Sequence, residues 1–238
     1  MKIFAQKIIA AGVGVLLLTG MPVYGSILYD NTTTDNGRSL NFINGQAIGN
    51  QMVMGNGYTS ATLTNFSFEI YSTLATFATT NVQMQVFLYK NDGASTNSYG
   101  MPSTVLYNSG LFTLPTPLSF TTGYVGTVFF DLSLAPTNLP NNTFTLAAVV
   151  TGMTGIDAVG MEIFNQTTVG YNYGDYWVQN AAGSWALMTN SAGPTEFGAR
   201  FNGTGVPEPS TLGLSVVGAS LLIGSFWLRR RQNQSRQG

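Results

Sequence analysis

The side chains best suited to bind a ligand lie in one short aromatic segment. In chain order they are Tyr171, Tyr173, Asp175, Tyr176, Trp177 and Trp185. Aromatic faces can stack on sugar rings, and carboxylate or amide groups can bond sugar hydroxyls. The same rings could instead pack in a core, where each buries a large apolar area. A sugar-binding platform and core packing therefore remain two open interpretations of this segment.

The residue types exclude most catalytic chemistry. The chain has no Cys and no His, so thiol nucleophiles, disulfides and serine triads based on His are absent. A glycosidase needs two carboxylates about 5 to 9 Å apart, and the sequence brings no such pair together. Glu69 and Asp131 fall on the outward faces of predicted strands, as solvated polar residues do. We predict that the chain is not an enzyme, and a carboxylate-based glycoside hydrolase is the last-ranked alternative.

No cofactor or metal site is predicted. Acidic and amide residues cluster at Asp30-Asn31 and Asp35-Asn36, and again at Asn91-Asp92. Neither cluster has the spacing of a calcium-binding loop. Turn capping explains both clusters, and a structural calcium ion is the alternative.

Charge argues against nucleic acid as a partner. Only 8% of residues are charged, and between residues 26 and 206 three cationic side chains face nine carboxylates, a net charge of −6. Nucleic-acid binding requires a cationic patch that offsets the phosphate charge. The middle of the chain has no such patch.

Period-2 alternation in that middle region predicts strands. Apolar residues alternate with polar ones in 63–71, 82–89, 127–132, 144–150 and 197–201, which places one face in a core. Turn-forming Asn, Gly and Pro separate these segments. The pattern predicts an all-β fold, a single β-sandwich resembling a jelly roll, over residues 26–202. Asn202-Gly203-Thr204-Gly205 begins a predicted flexible linker at 203–206.

The N-terminus has the order of a secretory signal peptide. Lys2 and Lys7 precede an apolar run from Ile8 to Leu18. We expect residues 1–25 to direct export through the Sec translocon, and signal peptidase to cleave between Gly25 and Ser26.

The C-terminus has the order of a membrane anchor. Seventeen uncharged residues, Leu212–Leu228, precede Arg229, Arg230 and Arg231. This predicts a transmembrane helix at about 211–228, with the basic cluster and the tail 232–238 in the cytoplasm. Pro207 and Pro209 keep the preceding chain extended.

The tail resembles the PEP-CTERM sorting signal. The resemblance rests on Val206-Pro207-Glu208-Pro209, the apolar segment and the arginine cluster, together residues 207–231 with the flanking Val206. It implies processing by an exosortase in a Gram-negative bacterium that makes exopolysaccharide. The chain would reside briefly in the inner membrane and finally at the cell surface or in the extracellular matrix.

The middle region resembles a choice-of-anchor domain of type R. The matching stretches are 28–31, 45–49, 86–93 and 100–103, which read LYDN, GQAIG, VFLYKNDG and GMPS. Such surface β-domains have no assigned ligand residues. The leading hypothesis is a structural or adhesive protein associated with exopolysaccharide or biofilm, and the alternative is a carbohydrate-binding module using the aromatic segment.

Overall fold

The computed structural model describes residues 25–72, 82–114, 125–154, 158–165, 167–180 and 182–208. The predicted signal peptide up to residue 24, Pro209, the predicted membrane helix at 211–228, Arg229 to Arg231 and the tail lie outside the described residues. In the described ranges no helix has the length and apolarity needed to cross a membrane.

Within these ranges the chain is antiparallel β-structure, as predicted. The strands are β1 (Ser26–Asp30), β2 (Asp35–Asn41), β3 (Ala47–Val53), β4 (Tyr58–Ser72), β5 (Gln83–Lys90), β6 (Ser95–Thr96), β7 (Tyr99–Gly100), β8 (Val105–Thr113), β9 (Val125–Asp131), β10 (Thr137–Leu139), β11 (Thr143–Thr151), β12 (Val159–Phe164), β13 (Tyr171–Gln179), β14 (Trp185–Met188) and β15 (Ala199–Pro207).

The described strands form two large sheets and one small hairpin. In sheet I the order is β1-β15-β4-β12-β2, and β9 and β10 also pair with β4. In sheet II the order is β14-β13-β3-β11-β5-β8, and β6 pairs with β7 as a separate hairpin. Every pairing is antiparallel.

Eight of these strands pair in a nested order. β1 pairs with β15, β3 with β11, β4 with β9, and β5 with β8. The first strand of the set therefore meets the last, the second meets the second-last, and so on to the middle. β12, β13 and β14 are inserted between β11 and β15, where β12 joins sheet I and the other two extend sheet II beyond β3.

The predicted apolar rows form the core between the two sheets. Phe66 of β4 stacks on Phe201 of β15 at 5.3 Å between ring centroids. Phe144 of sheet II meets the same Phe201 edge-on at 4.8 Å. All three rings are buried, and each contributes about 1.5–3 kcal/mol by leaving water. The arrangement is that of a β-sandwich.

Residues 203–206 correct one prediction, because they are strand rather than flexible linker. β15 continues through Pro207, which pairs with Tyr58 of β4. A Cβ on Gly203 would collide with the carbonyl oxygen of Thr62, and one on Gly205 with the ring of Tyr58. These glycines permit close packing against β4, so the ordered chain extends beyond the predicted boundary at residue 202.

Candidate functional site

The predicted aromatic segment forms β13, and a bulge in that strand decides which of its side chains are exposed. Between the pairs that Asn172 and Tyr176 make with β3, three residues of β13 (173–175) lie opposite Gln51 alone. Gly174 has a φ of +83°, a conformation that side chains with a Cβ disfavour. The bulge takes residues 173–175 out of the regular ladder.

Buried amides hold this bulge in place. The side-chain nitrogen of Asn50, on β3, donates to the carbonyl oxygens of Asp175 at 2.9 Å and Thr195 at 3.0 Å. Asn172 donates to the Asn50 side-chain oxygen and accepts from the Gly174 N–H at 2.9 Å. Because Asn50 and Asn172 are both buried, their paired groups make the bulge a fixed feature of the fold.

Three tyrosines form an aromatic row beside the bulge. The rings of Tyr171 and Tyr173 lie 5.1 Å apart, and Tyr173 lies 4.8 Å from Tyr99 of β7. Tyr171 is 56% exposed, whereas Tyr99 is buried. Burial, together with the neighbouring Asp175 carboxylate, raises the pKa of Tyr99 above its usual range. Its hydroxyl therefore stays protonated and donates to the carbonyl oxygen of Tyr173 at 2.9 Å.

Tyr173, the middle ring of the aromatic row, lines an open cleft of about 490 Å³. The cleft lies where sheet II, the β6–β7 hairpin and the end of β15 meet. Amides and hydroxyls dominate its lining, which includes Gln51, Asn91, Ser98, Asn142, Tyr173 and Glu208. Such a surface suits a ligand that presents many hydroxyl groups.

Two polar atoms of the cleft residues are buried without a hydrogen-bond partner in the described part of the chain. They are the Gln51 side-chain oxygen and the Asn91 side-chain nitrogen. Gln51 is 2% exposed. Asn91 uses its own side-chain oxygen to accept from the Thr145 hydroxyl at 2.7 Å. A buried polar atom without a partner costs about 1–3 kcal/mol, so one free acceptor and one free donor are maintained here at a cost in stability.

Trp177 lies outside the cleft lining. It pairs with Gly49 of β3, which pairs in turn with Ala147 of β11, so all three lie on the face of sheet II that points away from the core. Trp177 is 1% exposed, and its indole nitrogen has no partner in the described residues. Its ring is therefore packed and offers no stacking face.

The remaining predicted residues lie in other surroundings. Trp185 begins β14 and meets Tyr89 edge-on at 5.5 Å. Tyr176 is half-buried and lies on the opposite face of β13 from Trp177. Asp175 borders a second, smaller cleft of about 290 Å³, beside Pro194. The structure thus brings Tyr171 and Tyr173 together, and of the six predicted residues the larger cleft includes Tyr173.

Sequence reasoning missed Tyr99, Gln51 and Asn91. The sequence does carry a signal for Gln51, because a polar residue within a largely buried strand such as β3 indicates a special role. Asn91 precedes Asp92-Gly93, and this sequence is typical of a turn, so it did not indicate a binding residue. Tyr99 stands in a Ser/Asn/Gly-rich stretch with no apolar periodicity, so only the tertiary structure reveals its contact with Tyr173.

The carboxylates relevant to a hydrolase lie on sheet I. Burial, the hydrogen bond and charge of Asp35, and the charge of Glu69 raise the pKa of Glu162 to about 8. Burial also raises the pKa of Glu69, against a hydrogen bond from Thr127. Neither glutamate lines the two clefts described above, so these unusual carboxyl groups do not adjoin the aromatic row.

The acidic side chains of the clusters considered for calcium accept hydrogen bonds from other described residues. Asp30 accepts from the N–H and hydroxyl of Thr32 at 3.1 and 2.7 Å. Asp35 accepts from the Gly37 N–H at 2.7 Å. Asp92 accepts from Thr104 and lies 3.2 Å from the Lys90 ammonium. Among the described residues, no three acidic side chains are grouped so as to hold a metal ion.

No protein-family model and no curated protein matches the chain. The function proposed below therefore rests on the site and on the sequence motifs.

Proposed function

We propose that this chain is an exported surface protein that adheres to polysaccharide through the cleft beside Tyr173. The observation that carries the proposal is the combination of an aromatic row with the free amide atoms of Gln51 and Asn91. Sugars present both apolar ring faces and hydroxyl groups. Tyr173, held in place by the other rings of the row, supplies a surface for a ring face, and the two amide atoms supply an acceptor and a donor for the hydroxyls.

The ligand of this cleft would be the exopolysaccharide of the producing bacterium. The cleft is open rather than enclosed, so a polymer could pass through it without a free chain end. The fixed bulge supports this role, because a preformed site loses little conformational entropy when it binds.

Export and sorting complete the proposal. The signal peptide, the PEP-CTERM-like tail and the choice-of-anchor-like middle region each point to a protein delivered outside the cell and processed by an exosortase. The nested strand pairing, with β1-β15-β4-β9 facing β3-β11-β5-β8, supports assignment of the sandwich as a jelly roll.

A purely structural surface protein is the second candidate. The burial of Trp177 supports it, because one of the two indole rings of the predicted platform contributes to packing instead of to a binding surface. The two candidates differ in whether the cleft binds sugar in a saturable manner.

The test is a binding measurement with the full chain in mild detergent and the exopolysaccharide of the source bacterium. The variant Tyr171→Ala with Tyr173→Ala removes two rings of the aromatic row. Phe129→Ala is the matched control, because Phe129 is 62% exposed and belongs to β9 on sheet I. We expect saturable binding by the wild type and the control, and at least a tenfold loss in the double variant. Absence of binding by the wild type would favour the structural candidate.

A further inference from the structure

The residue after β15, Glu208, is the one charged side chain among the described residues that line the cleft. Glu208 lines the cleft beside amides, hydroxyls and Tyr173. Its backbone N–H donates to the Gly57 carbonyl oxygen at 2.9 Å. The last residues of β15 are fixed to β4 in the same way, because the Thr59 hydroxyl donates to the Val206 carbonyl oxygen at 3.2 Å. The backbone at Glu208 is therefore held against the start of β4.

Lys90, the cation next in sequence to the cleft residue Asn91, already has a partner. The Lys90 ammonium lies 3.2 Å from Asp92, whose other bonds come from Thr104. The domain as a whole is acidic, with nine carboxylates against three cationic side chains between residues 26 and 206. An anionic polymer such as a polyuronate would meet repulsion from this charge, and none of the described residues that line the cleft is a cation that could pair with it.

We propose that the cleft selects glycans that contain free amino groups, and that Glu208 is the residue that recognises the amine. This inference rests on the proposed function and names the class of its ligand. A protonated amine on a sugar ring can pair with the Glu208 carboxylate while the ring contacts Tyr173 and its hydroxyls reach Gln51 and Asn91. The N-acetylated form of the same sugar is uncharged and cannot form this ion pair.

The expected preference is modest because Glu208 is exposed. An exposed ion pair contributes about 0.2–1 kcal/mol, so the amino form should bind about 1.4- to fivefold more tightly than the N-acetylated form. Because salt screens exposed charges, the preference should shrink at high ionic strength.

The experiment compares three oligosaccharides of equal length on the full chain at mildly acidic pH: oligoglucosamine, oligo-N-acetylglucosamine and oligogalacturonate. Glu208→Gln removes the charge and keeps the shape of the side chain. Asp131→Asn is the matched control, because Asp131 is an exposed carboxylate on β9 of sheet I. We expect oligoglucosamine to bind best and oligogalacturonate worst. The preference for the amine should vanish in Glu208→Gln and persist in Asp131→Asn.

The outcomes separate this inference from the proposed function. Equal binding of the two glucosamine forms by the wild type, or a preference that survives in Glu208→Gln, would overturn the role of Glu208 and leave a sugar-binding cleft. If neither the exopolysaccharide nor any of the three oligosaccharides binds the wild type, the proposed function falls and this inference falls with it.

Discussion

The hydroxyl of Tyr99 donates to the backbone carbonyl of Tyr173 at 2.9 Å, while their rings lie 4.8 Å apart. This pair joins the β6–β7 hairpin to the bulge of β13, although the two residues are 74 positions apart in sequence. The β6–β7 hairpin and β13, which both contribute residues to the cleft, are thereby held together. The geometry of the aromatic row therefore depends on a hydrogen bond as well as on ring packing.

Tyr99→Phe should loosen this junction. Removing a buried hydrogen bond costs about 1 kcal/mol of stability and leaves the Tyr173 carbonyl without this donor. We expect a small fall in the free energy of unfolding and a three- to tenfold fall in sugar affinity, measured by thermal denaturation and binding on the same preparation. Tyr107→Phe, on β8, is the control and should retain full affinity. An unchanged affinity in Tyr99→Phe would show that the junction does not organise the cleft.

Gln51→Met should separate stability from binding. Methionine fills a similar volume and removes the buried oxygen that has no partner in the described residues. We expect the free energy of unfolding to rise by about 1 kcal/mol and sugar affinity to fall about tenfold, because a hydroxyl of the ligand loses its acceptor. A variant that is less stable than the wild type would contradict our view that this oxygen is kept for a ligand.

Stability should fall as the pH rises from about 5 to 8. Burial and the neighbouring Asp35 and Glu69 raise the pKa of Glu162 from 4.5 to about 8. The folded state thus binds the proton more tightly than the unfolded state, so the stabilisation is complete below about pH 4.5 and is lost as the pH approaches 8. Glu162→Gln mimics the protonated form and should flatten most of this dependence in thermal melts.

Asp131→Asn serves as the control for that pH experiment. Hydrogen bonds from Ser133 lower the pKa of Asp131, so its titration falls at more acidic pH. The slope between pH 5 and 8 should be the same as in the wild type. A wild-type melting temperature that stays constant across this range would refute the assignment to Glu162.

Gly203→Ala should be strongly destabilising. The new methyl group would collide with the backbone carbonyl oxygen of Thr62. Moving a side chain cannot relieve this collision, and β15 cannot shift freely because it is paired with β1 on one side and β4 on the other. We expect a loss of at least 2 kcal/mol in chemical denaturation. Thr204→Ala is the neighbouring control and should cost less than half as much. An unchanged free energy of unfolding in Gly203→Ala would instead support the flexible linker predicted at 203–206.

Replacement of Pro207, Glu208 and Pro209 by alanine should block processing if the tail is an exosortase signal. At 25.4 kDa for the whole chain, retention of roughly 30 tail residues would leave a species about 3 kDa heavier in the membrane fraction. Immunoblots of fractionated cells measure both mass and location. A product of normal mass at the normal location would reject the sorting proposal.

Strand positions were predictable from the sequence, and strand partners were not. The alternation of Phe66, Phe68 and Ile70 with polar residues predicts one buried face of the strand, and all three side chains are buried. Alternation does not specify which strand lies alongside. The nesting of β1 with β15 joins segments more than 160 residues apart, and that pairing follows from the packing of the whole core.

The glycines of β15 and the rings of β13 show why the remainder escaped prediction. Gly203 and Gly205 have the composition of a flexible linker, yet both are needed for close contact with β4. Trp177 and Tyr171 occupy the same face of β13, yet one is buried and the other exposed. Exposure there depends on the bulge and on neighbouring strands, which local sequence does not reveal.

The position of the cleft at the end of β15 has a mechanical consequence. Ser26 pairs with Gly203 and Glu208 lies on the cleft, so the ligand site and the exit of the chain toward the proposed anchor share one pole of the sandwich. Tension between a held polysaccharide and the envelope would pass at this pole from the cleft residues of β3 and β13 in sheet II to the last residues of β15 in sheet I. The strand segments far from this pole would carry little of the load, so an adhesive bond could be strained before the rest of the domain unfolds.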